Sequence, residues 1–485
     1  MKEVAFNRTL GASTTIAIVI GGVIGSGIFM KPSLMASQLG SPLLLLSVWL
    51  VAGLISLLGA LSNCELACMF PETGGPIVFF KKIYGNGFSF VYAWAAFAVS
   101  NTAGNASIAY VFSEYTNYFI DLPRFSEATE QSVNFSIPFI GTIYILKNFG
   151  VKVLTIFLVM LLSAINYRSV KQGGTLQRIL SSLKVIAMII LVGGIFFSSK
   201  GSSANIFSSS SAMPHGWALI GAYMAALSGA FWAYDGWNNI TFVAGEIKDP
   251  QKNIPRGLFM GLLFCVAIYS LINLAYIYVM PISQMAASNF VASDVATIAW
   301  GTIGGSAIAL MVMLSTLGAA NANILATART TFAMGEENKW FAIAGKVQPR
   351  FKTPGNALWM NAIWSSVLIF SGSFDMLTDM LIFVTFFFYG MSALGVIILR
   401  IKQPKVPRPY KVLAYPIVPI LFVCFVFFFL TSTVYTDITN YKNGTAPIIN
   451  SVLGIAITLV GIPVYYLSRR KTAAGGSGSP PRRSR

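Results

Sequence analysis

The stretch Gly21-Gly22-Val23-Ile24-Gly25-Ser26-Gly27-Ile28-Phe29 sets four glycines in the middle of an apolar run spanning residues 13–38. Each glycine costs a helix interior about 1 kcal/mol relative to alanine, so the cluster favours unwinding in the centre of an otherwise continuous helix. A second run, 216–243, is interrupted by Phe231-Trp232-Ala233-Tyr234-Asp235-Gly236-Trp237, where a carboxylate and a glycine stand among large apolar side chains.

Outward from these two breaks the chain reads as membrane helices. Of its 485 residues 55% are hydrophobic and only 10% charged, more apolar surface than a soluble fold of this length could hide. A bilayer core about 30 Å thick is crossed by roughly 20 apolar residues in a helix. The uncharged runs 43–62, 257–280 and 295–328 reach that length. Continuous runs choose helices over a closed barrel, the other structure that satisfies its backbone in lipid. The predicted spans are 13–38, 42–69, 88–119, 150–168, 176–198, 216–243, 256–280, 296–333, 356–372, 376–399, 412–436 and 447–467, an all-α polytopic fold of about twelve helices. No cleavable signal peptide is expected, because the first run carries Pro32 as well as its glycines and leads directly into further spans.

The net charge of +17 invites a nucleic-acid partner until its distribution is read. With the N-terminus inside, the inner loops collect Lys2, Arg8, Lys81, Lys82, Arg168, Lys171, Arg178, Lys248, Lys252, Arg256, Arg329 and most of the basic residues after it. The opposite loops hold Arg124, Lys147, Lys152, Lys200 and Lys442. This asymmetry predicts both termini in the cytoplasm and an even span count, with a lipid bilayer and no nucleic acid as partner.

Residues 1–12 are expected as a cytoplasmic N-terminus, 13–399 as the core, and 400–471 as two final helices after a basic loop. Residues 472–485 are expected as an unstructured tail whose Gly475-Gly476-Ser477-Gly478-Ser479 resembles an added linker. The polar stretches 120–149, 199–215 and 335–355 are too short for cores of their own. Cys64, Cys68, Cys265 and Cys424 fall in predicted spans as small apolar side chains, and the single histidine, His215, falls in an outer loop. Neither a catalytic cluster nor a metal or cofactor site is expected, which argues against an enzyme.

Interrupted helices in corresponding positions of two five-helix halves, here 13–198 and 216–399, point to an inverted-repeat transporter with its site at mid-membrane. An amino-acid zwitterion needs donors for its carboxylate and acceptors for its ammonium, and a broken helix exposes both kinds of backbone group. The amides around Ser26, Gly27 and Ile28 are candidates for the carboxylate, with Gly25 and Gly27 admitting close approach. Carbonyls at Ile24 and from Phe231 through Trp232 and Ala233 to Tyr234 are candidates for the ammonium. The competing reading makes Gly21 and Gly25 a small-xxx-small helix contact. Asp235 suits a cationic substrate but better an N-cap for the second half of its span. Lys184, in the predicted fifth span, is a buried cation with a coupling or gating task, or else snorkels to the interface. Glu65 and Glu114 read as interfacial, and the aromatic run Phe386-Phe387-Phe388-Tyr389 reads as lipid contact or packing.

Together these residues resemble the L-type amino-acid transporter branch of the amino acid, polyamine and organocation transporters, especially its bacterial serine/threonine and alanine/serine/cysteine exchangers. The resemblance rests on Val23 to Phe29, Pro71-Glu72-Thr73-Gly74-Gly75, Lys184, Trp232 to Asn238, Asp249-Pro250, Ile254-Pro255-Arg256, and Tyr269 with Asn273-Leu274-Ala275-Tyr276. It implies a LeuT-like fold, sodium-independent exchange of small neutral L-amino acids such as alanine, serine, threonine and cysteine, and a prokaryotic inner-membrane location. It further implies that Asn238 and Tyr269 line the pocket, that Trp232 is an aromatic lid and that Lys184 links occupancy to closure. Residues 120–149 lack the cysteine by which animal members join a glycoprotein, so no disulfide-linked accessory chain is expected. Proton-coupled symport, exchange of cationic amino acids and a non-transporting amino-acid sensor remain the alternatives.

Overall fold

The computed structural model describes residues 8–72, 74–168, 185–186, 188–210, 213–337 and 341–474. The first predicted span is two helices, α1 (Ala12–Val23) and α2 (Gly27–Leu39), bent by 45° at the intervening residues. Gly40, with φ 60°, ends α2, and Ser41 caps α3 (Pro42–Met69), its hydroxyl accepting from the Leu44 amide at 3.5 Å. Gly74 and Gly75 turn the chain into α4 (Pro76–Tyr84), and both adopt positive φ. A β-carbon on Gly75 would lie 2.6 Å from the Thr241 hydroxyl oxygen, so this turn packs directly on the second half of the other broken span.

The third predicted span runs as α5 (Asn86–Ala95), a π turn over Ala96–Asn101, and α6 (Thr102–Asn117). Such turns leave a backbone carbonyl over, and here the Thr102 hydroxyl donates to that of Phe97 at 2.8 Å. The polar stretch 120–149 departs from the sequence reading: it forms α7 (Glu127–Ser132) and an antiparallel hairpin, β1 (Asn134–Ile137) with β2 (Gly141–Tyr144). A two-stranded hairpin is marginal alone. This one docks on the loop before the last helix, the Thr142 amide donating to Pro447 at 2.8 Å and the Ile449 amide to Ile140 at 2.9 Å.

Then follow α8 (Phe149–Arg168), α9 (Met188–Phe197), α10 (Ala204–Phe207), α11 (Trp217–Tyr234), α12 (Asn239–Phe242), α13 (Pro250–Val279), α14 (Ile282–Ala287) and α15 (Val291–Glu337), kinked at Gly301. The chain ends in α16 (Gly355–Ser371), α17 (Phe374–Lys402), α18 (Ile417–Lys442) and α19 (Asn450–Ala474). Lys184 lies outside the described residues. Among those described, eight helices are long and apolar enough to cross a membrane, nine when α1 and α2 count as one span.

The helices sort into two packed groups. The broken pairs α1–α2 and α11–α12 lie against α3 and α13, while α6, α8, α15 and α16 pack on one another, and α17 touches both groups. Buried polar pairs tie the second group together: Asn166 donates to Asn321 at 2.7 Å, and Asn323 to Asn105 at 2.9 Å. Lys152, placed in an outer loop by its charge, instead begins α8 and donates to the carbonyls of Tyr144, Ile145 and Phe370. A cation at the C-terminal end of α16 satisfies carbonyls the helix leaves open.

The two broken spans run antiparallel. The residues before α1 pair with those after α12, the Thr9 and Leu10 amides donating to Glu246 at 3.0 Å and the Lys248 amide to Leu10 at 2.9 Å. The end of α2 and the residues before α11 therefore share the opposite face, where the Ser210 amide donates to Gly40 at 2.7 Å.

Candidate functional site

Each break is built by its own local chemistry. At the end of α1, Ile24 turns to an extended backbone (φ −67°, ψ 100°), and Ser26 precedes the first residue of α2. At the end of α11, Asp235 is extended (φ −65°, ψ 157°), and Gly236 follows at φ 104°, a conformation that favours glycine. The two gaps touch: Gly236 lies against the carbonyl of Gly22, with no room for a β-carbon on either residue without displacing the other.

One side chain joins both ends. The Tyr269 hydroxyl, from α13, lies 3.0 Å from the carbonyl of Val23 and 3.1 Å from that of Ala233, so a single donor serves the last turns of α1 and α11. Tyr269 is fully buried against Trp49 and Tyr234, and the Tyr234 hydroxyl donates to the Trp49 carbonyl at 3.0 Å. The buried Ser26 hydroxyl, in the gap itself, has no hydrogen-bond partner. An orphan polar atom at this depth requires a reason.

The glycines divide into two kinds. Gly21 and Gly25 are not a helix contact: a β-carbon on Gly21 would meet nothing within 4 Å, and one on Gly25 only the carbonyl of Val23 at 3.7 Å. Gly27 is the close contact, because its β-carbon would lie 2.5 Å from Cα of Ala233 and 3.1 Å from the Trp232 ring. The helices α2 and α11 are thus in backbone contact, while a β-carbon at Gly25 would meet only that one carbonyl.

The predicted residues are brought together unevenly. Ile24, Ile28 and Ala233 are buried around the gap. Trp232 stands edge-on to Phe374 at 5.0 Å between ring centroids. The Phe231 ring points away, into Phe386 at 4.2 Å and Phe425 and Phe429 beyond. Asn238 turns to α3, its Oδ1 accepting from Asn63 at 2.5 Å. Asp235 is not an N-cap: Asn238 holds that position before α12, and the Asp235 carboxylate accepts from the Tyr389 hydroxyl at 2.8 Å. Tyr389 also packs on Trp237 at 4.6 Å. The run 386–389 is therefore site wall and core at Phe386, Phe388 and Tyr389, and only Phe387 is exposed.

Two charged groups near the ends of spans escaped the sequence reading. Lys31, in α2, is fully buried and ion-paired to Asp375 at 2.7 Å. Glu65, read as interfacial, is buried in α3 and holds Arg400 in two hydrogen bonds of 2.9 and 2.6 Å. A lysine and a glutamate at span ends look interfacial in sequence, since their partners lie hundreds of residues away.

The α2–α11 side of this assembly is held together by Gly27 on Ala233 and by the buried Lys31 on the half-exposed Asp375, whereas Gly22 and Asn239 on the other side of the gap are exposed. Two broken helices meeting at an apolar core, with one side held together and the other exposed, suit passage of a solute rather than bond chemistry. Comparison with known proteins points the same way. The chain matches the amino acid permease family over residues 10–460. It is 29% identical over 478 residues to the serine/threonine exchanger SteT of Bacillus subtilis, covering 98% of this chain and 99% of that protein. It is 30% identical over 471 residues to the large neutral amino acids transporter small subunit 2 of Mus musculus, covering 96% and 81%. It is 27% identical over 419 residues to the b(0,+)-type amino acid transporter 1 of Homo sapiens, covering 85% and 80%. With a family match over nearly its whole length and helices that can cross a bilayer many times, this chain belongs to the amino acid permease family, multi-pass membrane transporters rather than enzymes.

Proposed function

We propose that the chain is a sodium-independent exchanger of small neutral L-amino acids such as alanine, serine, threonine and cysteine, working by alternating access. The observation that carries this reading is the Tyr269 hydroxyl bridging the ends of α1 and α11 beside the unpartnered Ser26 hydroxyl. In it the substrate carboxylate is received by Ser26 and the amides that open α2, which an α-helix leaves without intrahelical acceptors. The ammonium is received by carbonyls ending α1 and α11. Gly25, where a β-carbon would meet only the Val23 carbonyl at 3.7 Å, leaves the backbone approachable, and in this reading the bulk of Trp232 favours a short side chain. The names of the relatives, a serine/threonine exchanger among them, support the substrate class.

In the same reading, residues 86–117, the segment ending in α9, and α16 complete twelve spans arranged as two inverted repeats, 13–198 and 216–399. The excess of Lys and Arg on the face carrying Leu10 and Ile247 supports a cytoplasmic location for that face and both termini, and the reading sets the chain in a prokaryotic inner membrane. Lys184 is the coupling residue of this proposal.

Uptake of labelled serine into sodium-free proteoliposomes tests it. Uptake should depend on preloading with unlabelled serine or alanine. Uptake into empty vesicles driven by a pH gradient alone would overturn exchange in favour of proton symport.

Tyr269→Phe separates the bridge from simple packing. The ring stays, two carbonyls lose a shared donor, and the stability cost should stay within about 1–3 kcal/mol. Serine uptake should nonetheless fall about tenfold or more, as expected when a pre-set geometry is released by roughly 1.4 kcal/mol. Full uptake by the purified variant would remove Tyr269 from the site.

A further inference from the structure

Lys31 occupies a receptor built for a cation. Its ammonium donates to Asp375 Oδ1 at 2.7 Å and to the Thr378 hydroxyl at 2.8 Å, and lies 4.7 Å from the Phe374 ring centroid and 5.9 Å from that of Trp232. A second carboxylate, Asp379, faces the same space one turn along α17, where it accepts from the Ser228 hydroxyl of α11 at 3.3 Å. A carboxylate, a hydroxyl and two aromatic faces form the set that proteins use to bind alkylammonium and guanidinium groups.

The position matters as much as the chemistry. Lys31 follows Gly27 by four residues, so it projects from the same face of α2 one turn further from the gap. Its stem lies along α11 over Gly229, where a β-carbon would meet Lys31 Cδ at 3.3 Å. The ammonium thus ends beside Trp232, next to the space into which a bound amino acid would extend its side chain.

We infer that Lys31 is a tethered occupant of a cation subsite formed by Asp375, Thr378, Phe374 and Trp232, and that this occupancy excludes amino acids with cationic side chains. The inference rests on the proposed substrate site between α2 and α11. Lysine and arginine are rejected because the carboxylate they need is already paired and because their charge would approach a buried ammonium. Asp379 is held by the Ser228 hydroxyl and Asp235 by that of Tyr389, so neither carboxylate stands free as a substitute.

Removing the tether should open the subsite. In Lys31→Ala, competition by unlabelled lysine or arginine against labelled serine should rise roughly tenfold or more relative to competition by alanine, the scale of one buried charge contact. The purified variant should also gain thermal stability from n-butylammonium, which should leave the wild type unchanged. Asp375→Asn should act with the opposite sign, leaving Lys31 underpaired so that aspartate and glutamate compete better. If Lys31→Ala does not accumulate, the Asp375→Asn profile decides the matter. Unchanged lysine and glutamate competition in these variants, or no stabilisation of Lys31→Ala by butylammonium, would overturn the inference. Thermal shifts of the wild-type protein keep the two levels apart. No shift with serine or alanine sinks the substrate reading itself, whereas a neutral shift with unaltered charge discrimination in the variants sinks only the tethered-cation subsite.

Discussion

Gly27→Ala should abolish serine uptake, and Gly21→Ala should leave it near wild type. The two residues are six apart in one glycine-rich stretch, and a count of glycines gives no reason to separate them. The structure does. A β-carbon at position 27 falls 2.5 Å from Cα and 2.6 Å from Cβ of Ala233, while one at position 21 meets nothing within 4 Å. The atoms opposing position 27 belong to the backbone and the first side-chain carbon of α11, which cannot rotate away, so α2 and α11 must separate. Overpacking of that kind costs about 1–3 kcal/mol in a core that can adjust, and more where backbone opposes backbone. Gly27→Val adds two methyl groups and should be worse. The measurement is uptake in proteoliposomes beside the thermal midpoint of the purified protein. A destabilised but folded Gly27→Ala that no longer takes up serine is the expected outcome. Uptake at the wild-type rate would show that the contact of α2 with α11 is dispensable in transport.

That contrast also marks how far the sequence could be read. The broken spans were legible because their cause is local: four glycines within Gly21 to Gly27 and the Asp235-Gly236 pair weaken a helix wherever they stand, and the structure breaks at Val23/Gly27 and Tyr234/Asn239. Span positions were legible for the same reason, as with 42–69, which recurs as Pro42–Met69, and 150–168, which recurs as Phe149–Arg168. What escaped depends on distant pairing. The β1–β2 hairpin has its support at Pro447 to Ile449, Tyr389 gains its place from Asp235, and Lys31 differs from a snorkelling lysine only through Asp375 and Thr378. Lys184, the residue on which coupling was placed, lies outside the described part of the chain. A hydrophobic pattern reports which segments enter the membrane, but a charge at a span end carries no sign of whether water or another helix will receive it.

Glu65 shows how large that hidden contribution becomes. Its carboxylate takes Nε and Nη2 of Arg400 at 2.9 and 2.6 Å, lies 3.4 Å from Nε of Arg408, and accepts from the Val412 amide at 2.9 Å. Arg408 in turn donates to the carbonyls of Leu399, Gln403, Pro404 and Val406, and so closes the C-terminal end of α17. Arg400 also lies over the Tyr415 ring at 3.8 Å. One side chain on α3 therefore fixes the end of α17 and the loop that leads to α18. Replacing it with glutamine keeps the shape but removes the buried counter-charge of two guanidinium groups, of which Arg400 is partly exposed, and breaking such a pair from one side costs up to about 3–5 kcal/mol. Glu65→Gln should accordingly show a large fall in thermal midpoint and in folded yield. Removing the Arg400 charge as well, in Glu65→Gln/Arg400→Met, should recover part of the loss, because the coupling between paired charges disappears when both are gone. A midpoint unchanged in Glu65→Gln would mean that water reaches the cluster. A double variant no better than the single would place the load on Arg408 and the Val412 amide instead.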